Sequence, residues 1–489
     1  MTLVKPDSRE SNEQDSNFKT PTPGLVPGIV GVEMWERFSF YGMQAIMVYY
    51  LYSATAGIGL DKTTATALMG TYGASVYLCT LAGGWVADRL LGAERTLLTG
   101  AITLVFGHLA LSIIPGGWGV TLGLVLIALG SGFLKTAAIT VLGLAFSADD
   151  DGRRDGAFQL FYLGINIGAL LGPLLTGWLA DTQGFHVGFG AAAVLMVIGL
   201  GYYLAFRTKF INEELLQPKN PLASRKPLFV LIPIIGAIAL VVALVPQGIV
   251  TLSSLATILL VVTVSVAVIL YAQILRSNSV TSSEKRRAIS YLPLFIASCA
   301  FWSVLNQTYG VFAVYSDVRL DRTIGSFTVP ASWTQSLNPL FILALSVPLA
   351  WLWTRLPKLN SPAKMGIGVM ISGSGLLVLL PFTGSGEGAT PFLALALATL
   401  VITLGELFVG PVGMSATTSY APRAFATRFS ALYFLTMAIG TAAAGVLSTF
   451  YNPDDAQAET WYFLGCSVTV VLIGLLVFLF SRKLETHVA

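Results

Sequence analysis

The sequence predicts an all-helical protein that crosses a membrane many times, and composition is the first reason. Of its 489 residues, 55% are hydrophobic and only 11% are charged, and the mean hydropathy is +0.75. Soluble proteins carry about 25% charged residues, so this chain lacks the charge that a soluble surface of its size needs. Ordinary soluble domains are therefore excluded. A net charge of +3 gives no reason to expect a nucleic acid partner.

The second reason is a series of apolar stretches, each close to the ~20 residues with which a helix crosses a bilayer. The polar segment before them lacks the basic-then-apolar order of a signal peptide and is interpreted as a cytoplasmic tail. The fourteen predicted spans are 26–53, 65–87, 97–114, 118–146, 157–180, 187–206, 228–246, 250–274, 290–316, 332–354, 364–381, 391–418, 427–450 and 460–481.

These spans divide into two sets of six around a central pair. Spans 228–246 and 250–274 contain no charged residue and lie between basic loops, so we interpret them as an insertion. The expected organisation is a tail at 1–25, an N-terminal six-helix bundle at 26–206, a linker with two extra transmembrane helices at 207–289, a C-terminal six-helix bundle at 290–482 and a tail at 483–489.

The third reason is the distribution of basic residues between alternate loops. With this span count, 23 of the 28 Lys and Arg residues fall on one side, and the opposite side holds only Lys62, Arg319 and Arg322. Basic residues concentrate in cytoplasmic loops, so the asymmetry supports the count. It predicts a multi-pass protein of the cytoplasmic membrane with both termini in the cytoplasm.

Five charged residues remain at membrane depth. They are Arg37, Glu33 and Glu36 in the first span, Lys135 in the fourth, and Glu406 in the tenth of the twelve core spans. A charge at the bilayer centre costs at least about 2.5–3.5 kcal/mol, so such residues usually face a polar cavity and serve function. The alternative is a charge near a span end whose side chain reaches the headgroups.

Helical spacing places the first-span charges on one stripe. Positions i, i+3, i+4, i+7, i+8 and i+11 share a helix face, and they are occupied by Glu33, Glu36, Arg37, Phe40, Tyr41 and Gln44. Further polar residues lie on other spans. A single buried amide can simply bond a neighbouring helix, typically for ~0.6 kcal/mol. Their occurrence in both halves favours a shared cavity lined by Tyr72, Tyr77, Gln159, Asn166, Asn306, Gln307 and Asn338.

Sequence signals for catalysis are absent. The chain has no Walker motif, no GxSxG elbow and no His/Cys cluster of metal-ligand spacing. Its three cysteines, Cys79, Cys299 and Cys466, lie inside apolar runs and do not form a disulfide framework. We therefore expect neither an enzyme nor a bound metal or prosthetic group.

Four segments resemble known transporter motifs. GWVADRLLGAER at 84–95 resembles the loop signature of the major facilitator superfamily, which would latch the cytoplasmic helix ends through Gly84, Asp88, Arg89 and Arg95. Three segments are similar to motifs of the proton-dependent oligopeptide transporter (POT) family, in the family's order: EMWERFSFYG at 33–42, FYLGINIGALLGP at 161–173 and GELFVGPVG at 405–413.

The resemblance implies the major facilitator fold and proton-coupled import of di- and tripeptides by alternating access. Carried over by position, Arg37 and Lys135 would meet the peptide carboxylate, and Glu406 its amino group. Asn166 and Asn338 would bond the peptide termini or backbone.

Other family roles fall on tyrosines and glutamates. Tyr41 and Tyr77 would line side-chain pockets, while Glu33 and Glu36, with Arg37 and Glu406, would take part in proton coupling. Protons would be the coupling ion. The protein is expected to work as a monomer in the lipid bilayer.

The sequence also departs from the family pattern. Asn306, expected at the peptide site, stands where an acid linked to proton coupling is common; Phe40 replaces a frequent Tyr. Thr136 and Ala137 stand where Pro-Asn is usual, and Tyr433 where Trp is frequent. These changes leave alternatives open: another small anion or zwitterion such as nitrate or an amino acid, or peptide transport without protons. A drug/proton antiporter fits less well, since the predicted cavity carries both signs of charge.

Overall fold

The computed structural model describes residues 23–146, 150–210, 213–221, 251–355 and 359–485, which are mostly helical. The predicted span 228–246 lies outside these residues, as do most of the predicted N-terminal tail and the last four residues. Each of the other thirteen predicted spans coincides with a described helix or helical segment.

The first half contains six long helices and a one-turn helix that follows them. Asp61 caps the second helix by accepting a hydrogen bond from the Thr64 backbone N–H at 2.8 Å. The helices are α1 (Val26–Tyr52), α2 (Lys62–Val86), α3 (Ala93–Ile113), α4 (Gly116–Leu144), α5 (Asp151–Gln183), α6 (Phe185–Phe210) and α7 (Glu213–Leu216).

The remainder of the described chain continues with the second extra helix and the C-terminal half. Thr281 and Glu284 form a capping box at the start of the short helix before that half. The helices are α8 (Ser254–Arg276), α9 (Ser282–Ser290), α10 (Leu292–Leu305), α11 (Val311–Val318), α12 (Leu337–Arg355), α13 (Ser361–Gly375), α14 (Phe392–Ser419), α15 (Ala426–Ser448), α16 (Ala456–Leu479) and α17 (Ser481–Glu485).

Short strands and irregular helical turns complete the described chain. Strand β1 (Leu320–Asp321) pairs in parallel with β4 (Thr390–Pro391), and β2 (Thr323–Ile324) pairs antiparallel with β3 (Phe327–Thr328). All four lie in loops on the side predicted to face outward. The irregular turns are 3-10 helices at Pro23–Leu25, Asn306–Tyr309, Ala331–Ser336, Leu376–Phe382 and Arg423–Phe425, and a π-helical turn at Ala87–Leu91.

The seventh core span, predicted as one helix, is broken at its centre. Helix α10 ends at Leu305, and α11 begins only at Val311 after the 3-10 turn. The side chains of Asn306 and Gln307 donate hydrogen bonds to the backbone oxygens four residues earlier, at 2.8 and 3.1 Å. Such local bonding competes with helix propagation, which accounts for the break.

Eleven helical segments among the described residues are long and apolar enough to cross a membrane. Helices α1 and α2 do not meet this hydropathy criterion, but their 27 and 25 residues suffice for crossing at 1.5 Å per residue. Their lower hydropathy reflects the polar stripe of α1 and the threonines and tyrosines of α2. The predicted all-helical multi-pass fold is confirmed.

Each half has its own apolar core, and the halves meet along two helix pairs. Helix α1 packs on α5 and α6, and α13 packs on α14 and α16. Across the halves, α2 packs against α15 and α5 against α12. The first contact is close: a Cβ added to Gly70 would lie 2.3 Å from the Gly445 Cα. The extra helix α8 packs on both α2 and α15, so it contacts both halves.

Five side-chain hydrogen bonds join the halves within the described residues, and all lie toward the predicted outer side. Tyr52 donates to Asp317 at 2.5 Å, and Tyr49 donates to the Ala313 oxygen at 3.1 Å. The other three run from Trp333, Gln335 and Ser336 to backbone oxygens of Leu174, Ala45 and Leu170. These bonds close the outer side of the space between the halves.

Candidate functional site

An ionic cluster lies on the inward face of α1. The Arg37 Nε atom is 2.5 Å from Glu36 Oε2 and 3.2 Å from Glu33 Oε1. Arg37 is 3% exposed, and both glutamates are fully buried. The predicted stripe therefore forms. Glu33 pairs with Arg37 as the i, i+4 spacing suggests, and the adjacent Glu36 contacts Arg37 more closely. Two carboxylates face one guanidinium, so the pairing alone leaves a formal negative charge when both are ionised.

Helix α4 contributes the second cation and a hydroxyl link to α1. Lys135 Nζ lies over the Tyr77 ring, 5.4 Å from its centroid. One turn earlier, Ser131 accepts a hydrogen bond from Arg37 Nη2 at 3.3 Å and donates one to Glu36 Oε1 at 2.9 Å. Helix α4 is thus bonded to the α1 cluster through Ser131, one turn from Lys135.

The C-terminal half supplies a carboxylate held by neutral groups. Asn338, near the start of α12, donates to Glu406 Oε2 on α14 at 2.7 Å and to Thr403 Oγ1 at 3.0 Å. Thr403 is fully buried and donates to the Thr399 oxygen at 2.7 Å. Glu406 forms no salt bridge within the part of the chain that the structure describes.

A cavity of about 240 Å³ lies between the halves and is lined by residues from both of them. All eight residues predicted to contact a peptide line it: Arg37, Tyr41, Tyr77, Lys135, Asn166, Asn306, Asn338 and Glu406. The cations come from α1 and α4, and the carboxylate comes from α14. Glu33 and Glu36, predicted for proton coupling, are not among the lining residues and contact the cavity group through Arg37.

Two lining amides are oriented by their own helices. Asn166 donates to the Tyr162 oxygen at 2.9 Å, and Asn306 donates to the Trp302 oxygen at 2.8 Å. Their side-chain oxygens can therefore accept hydrogen bonds from a ligand. Among the described residues, Arg37 contacts Glu33, Glu36 and Ser131 and forms no hydrogen bond with Asn306.

Sequence reasoning missed several lining residues. Tyr309 stacks on Tyr41 with ring centroids 6.2 Å apart, and it lies in the unpredicted turn of the seventh span. Tyr162 lies one helical turn before Asn166, a spacing that could have identified it. Gln335 lies in a 3-10 segment, where no helical stripe could mark it.

The loop motif at 84–95 contacts the chain that follows α6. Gly84 lies near Thr136, and Asp88 and Arg89 form part of the π-helical turn. The Asp88 backbone oxygen accepts a hydrogen bond from the Asn220 N–H at 3.0 Å, and Arg89 donates to the Asn220 oxygen at 3.4 Å. Arg95 is exposed.

The buried acid of this motif is Glu94, which the sequence analysis did not select. It is fully buried and forms an ion pair with Arg207 on α6. The position of Glu94 beside Arg95 in the motif could have identified it as a candidate. Its partner Arg207 is too distant in the sequence to be predicted from residue spacing. This pair joins α3 to α6 at the predicted cytoplasmic end.

Comparisons with known proteins identify the family of this chain. The POT family profile matches residues 94–462. A di-/tripeptide transporter of Lactococcus lactis subsp. cremoris is 35% identical, covering 97% of this chain and 98% of the relative. A crystal structure of a peptide transporter POT variant with alafosfalin has 36% identity and a TM-score of 0.89, covering 97% of both chains. A POT family transporter bound to 5-aminolevulinic acid has 32% identity and a TM-score of 0.88, covering 96% of this chain and 98% of that one. This chain therefore belongs to the POT family.

Proposed function

We propose that this protein is a proton-coupled symporter that imports di- and tripeptides by alternating access. The observation that carries the proposal is the arrangement of charge in the central cavity. Arg37 and Lys135 line it from one half and Glu406 from the other. A short peptide is a zwitterion with its charges at its two ends, so it complements this cavity.

The polar atoms of the cavity suit recognition of a peptide's ends and backbone. The guanidinium of Arg37 offers a planar fork to a carboxylate, while Lys135 offers a mobile point charge. Glu406 would accept the peptide ammonium, and Asn166 and Asn306 have acceptors for backbone N–H groups. All peptides share these terminal and backbone groups, so a site that contacts only them accepts peptides with many different side chains. Peptide-transporting relatives of similar length support this substrate class.

Proton coupling would operate at the α1 cluster. When both glutamates are ionised, they hold Arg37 by two short contacts. Neutralising one of them weakens that attachment and makes the guanidinium available to the peptide carboxylate. Proton and peptide then favour the same closed state, because a ligand shifts an equilibrium only through its differential affinity for the two states. This scheme needs no acid at Asn306.

Alternating access is supported by the asymmetry of contacts between the halves. The five outer hydrogen bonds close one side, while the lining residue Tyr162, toward the other side, is 49% exposed. We infer that this arrangement faces the cytoplasm. Both termini would then be cytoplasmic, in the cytoplasmic membrane. The protein would act as a monomer, with protons as the coupling ion and no prosthetic group.

A smaller zwitterion is the second candidate substrate. It is favoured by the solved relative bound to 5-aminolevulinic acid, which has one amino group and one carboxylate. The cavity of about 240 Å³ would accept such a compound as well as a dipeptide. Competition between the two compounds would rank them.

The decisive experiment uses purified protein in liposomes, with labelled di-alanine outside and the pH gradient and membrane potential imposed separately. We expect accumulation above equilibrium that collapses when a protonophore is added. Exchange without accumulation would retain the substrate and reject coupling. If folded protein moves no peptide but moves 5-aminolevulinic acid, the second candidate replaces the first.

A further inference from the structure

The two glutamates of the α1 cluster have different surroundings. Glu36 accepts a hydrogen bond from Ser131 at 2.9 Å and contacts Arg37. Glu33 pairs with Arg37 at 3.2 Å, but among the described residues no hydroxyl group donates a hydrogen bond to either of its carboxylate oxygens. Hydrogen bonds to a carboxylate favour its ionised form. The two acids are therefore not equivalent.

Ser131 is placed to make this distinction. It is fully buried, and its hydroxyl completes a ring in which Arg37 donates to Ser131, Ser131 donates to Glu36, and Glu36 pairs with Arg37. Most serine and threonine hydroxyls on the described membrane helices donate a hydrogen bond to a backbone oxygen of their own helix. Thr140, further along α4, donates in this way to the Thr136 oxygen at 2.9 Å. Ser131 donates instead to a different helix.

Close packing on both sides holds Ser131 in this position. A Cβ added to Gly130 would lie 2.7 Å from the Gly100 oxygen, and one added to Gly132 would lie 2.4 Å from the Cys79 carbonyl carbon. Helix α4 is thus wedged between α3 and α2 at this level. It cannot rotate without a clash, so the hydroxyl stays directed at α1.

We propose that Ser131 is a positioning residue that gives the two glutamates different tasks: it holds Glu36 as the fixed counter-ion of Arg37 and leaves Glu33 to exchange the transported proton. The inference rests on the proposed proton coupling and deepens it. The exchange is a simple transfer, since Glu33 takes up one proton from the outer side and returns it to the inner side. No other bond is made or broken.

Several other ionisable groups lie near the two glutamates. On α1 the ionisable neighbours are the two acids themselves, Arg37 and Tyr41; α4 adds Lys135, and α2 adds the phenol of Tyr72. Helices α5 and α6 approach α1 through Gly164, Gly168, Gly199 and Tyr202. Within the described residues, the hydroxyl of Ser131 is the contact that Glu36 has and Glu33 lacks.

The test compares Ser131→Ala with Ser131→Thr, which retains the hydroxyl, and with the control Thr140→Ala on the same helix. In liposomes, Ser131→Ala should lower proton-driven uptake by about tenfold and move the pH of half-maximal uptake upward by about one unit, because Glu36 then also titrates. Peptide counterflow, which needs no net proton movement, should fall less. Ser131→Thr and Thr140→Ala should keep the wild-type pH profile.

A second pair of variants keeps the inference testable if Ser131→Ala folds poorly. Glu33→Gln should abolish the pH dependence of uptake but permit counterflow, whereas Glu36→Gln should lower the thermal unfolding temperature more than Glu33→Gln does. An unchanged pH profile in folded Ser131→Ala, or a normal pH profile in Glu33→Gln, would overturn the inference. If the wild-type protein neither exchanges nor accumulates peptide, the proposed function itself fails, and this outcome is distinct from the other two.

Discussion

The two ends of the central cavity hold their buried charges in different ways. At the α1 end, Arg37 is compensated by two carboxylates at 2.5 and 3.2 Å. At the α14 end, Glu406 is held by the neutral amide of Asn338 at 2.7 Å and has no cation within salt-bridge distance among the described residues. The buried cation at the α1 end therefore has its counter-ions within the protein, whereas under the proposed function the carboxylate at the α14 end would meet its counter-ion only in a bound ligand. Substitutions at the two ends should have opposite consequences for stability.

The largest effect is expected at the α1 end. Arg37→Ala should abolish driven uptake and lower the free energy of unfolding by about 3–5 kcal/mol, because it leaves two buried carboxylates without their cation. Thermal unfolding in detergent measures the loss. Adding Glu36→Gln to Arg37→Ala should restore part of the stability but none of the uptake. An unaltered unfolding temperature in Arg37→Ala would show that these ion pairs do not stabilise the fold.

At the α14 end, Glu406→Gln should reduce peptide uptake by about 100-fold, since the peptide ammonium would lose its buried partner. Its unfolding temperature should equal or exceed that of the wild type, because a carboxylate without a cation is replaced by a neutral amide. Uptake and thermal unfolding are measured on the same preparation. Loss of stability comparable to that of Arg37→Ala would erase the contrast between the two ends.

Lys135→Met tests whether the cation of α4 contributes to ligand binding and not to stability. The contact described for Lys135 is the Tyr77 ring at 5.4 Å, so this cation is less tightly engaged than Arg37. We expect the KM for di-alanine to rise about tenfold, as for loss of one charged hydrogen bond, with little change in unfolding temperature. Lys62→Met, at the predicted outer end of α2, is the control. Wild-type KM in Lys135→Met would remove Lys135 from the carboxylate site.

The smallest effect tests how Glu406 is oriented. Thr403→Val removes the hydroxyl that accepts a hydrogen bond from Asn338 at 3.0 Å. Asn338 then loses one of the two bonds that fix its amide, and the KM for peptide should rise about threefold with kcat nearly constant. Thr399→Val, one turn earlier, is the matched control and should leave KM unchanged. Equal effects in both variants would indicate a packing defect.

Much of the fold could be predicted from the sequence because its signals are local. The spans follow from runs of apolar residues, and the facilitator fold expected from the motifs is confirmed by solved relatives with TM-scores up to 0.89. The break at Asn306 was missed, since the run 290–316 is mainly apolar on both sides of the polar residues at the break. The Glu94–Arg207 pair was missed because its partners are 113 residues apart.

Membrane insertion, the helical stripe of α1 and the depth of five charged residues were determined by the sequence alone, because hydropathy and the 3.6-residue period act over short segments. Only the tertiary structure decided which groups meet. The Ser131–Glu36 bond joins residues 95 positions apart, and the Asn338–Glu406 bond joins residues 68 apart. Such contacts depend on how whole helices pack and cross, as at Gly130 and Gly132, and no periodicity within one helix encodes its neighbour.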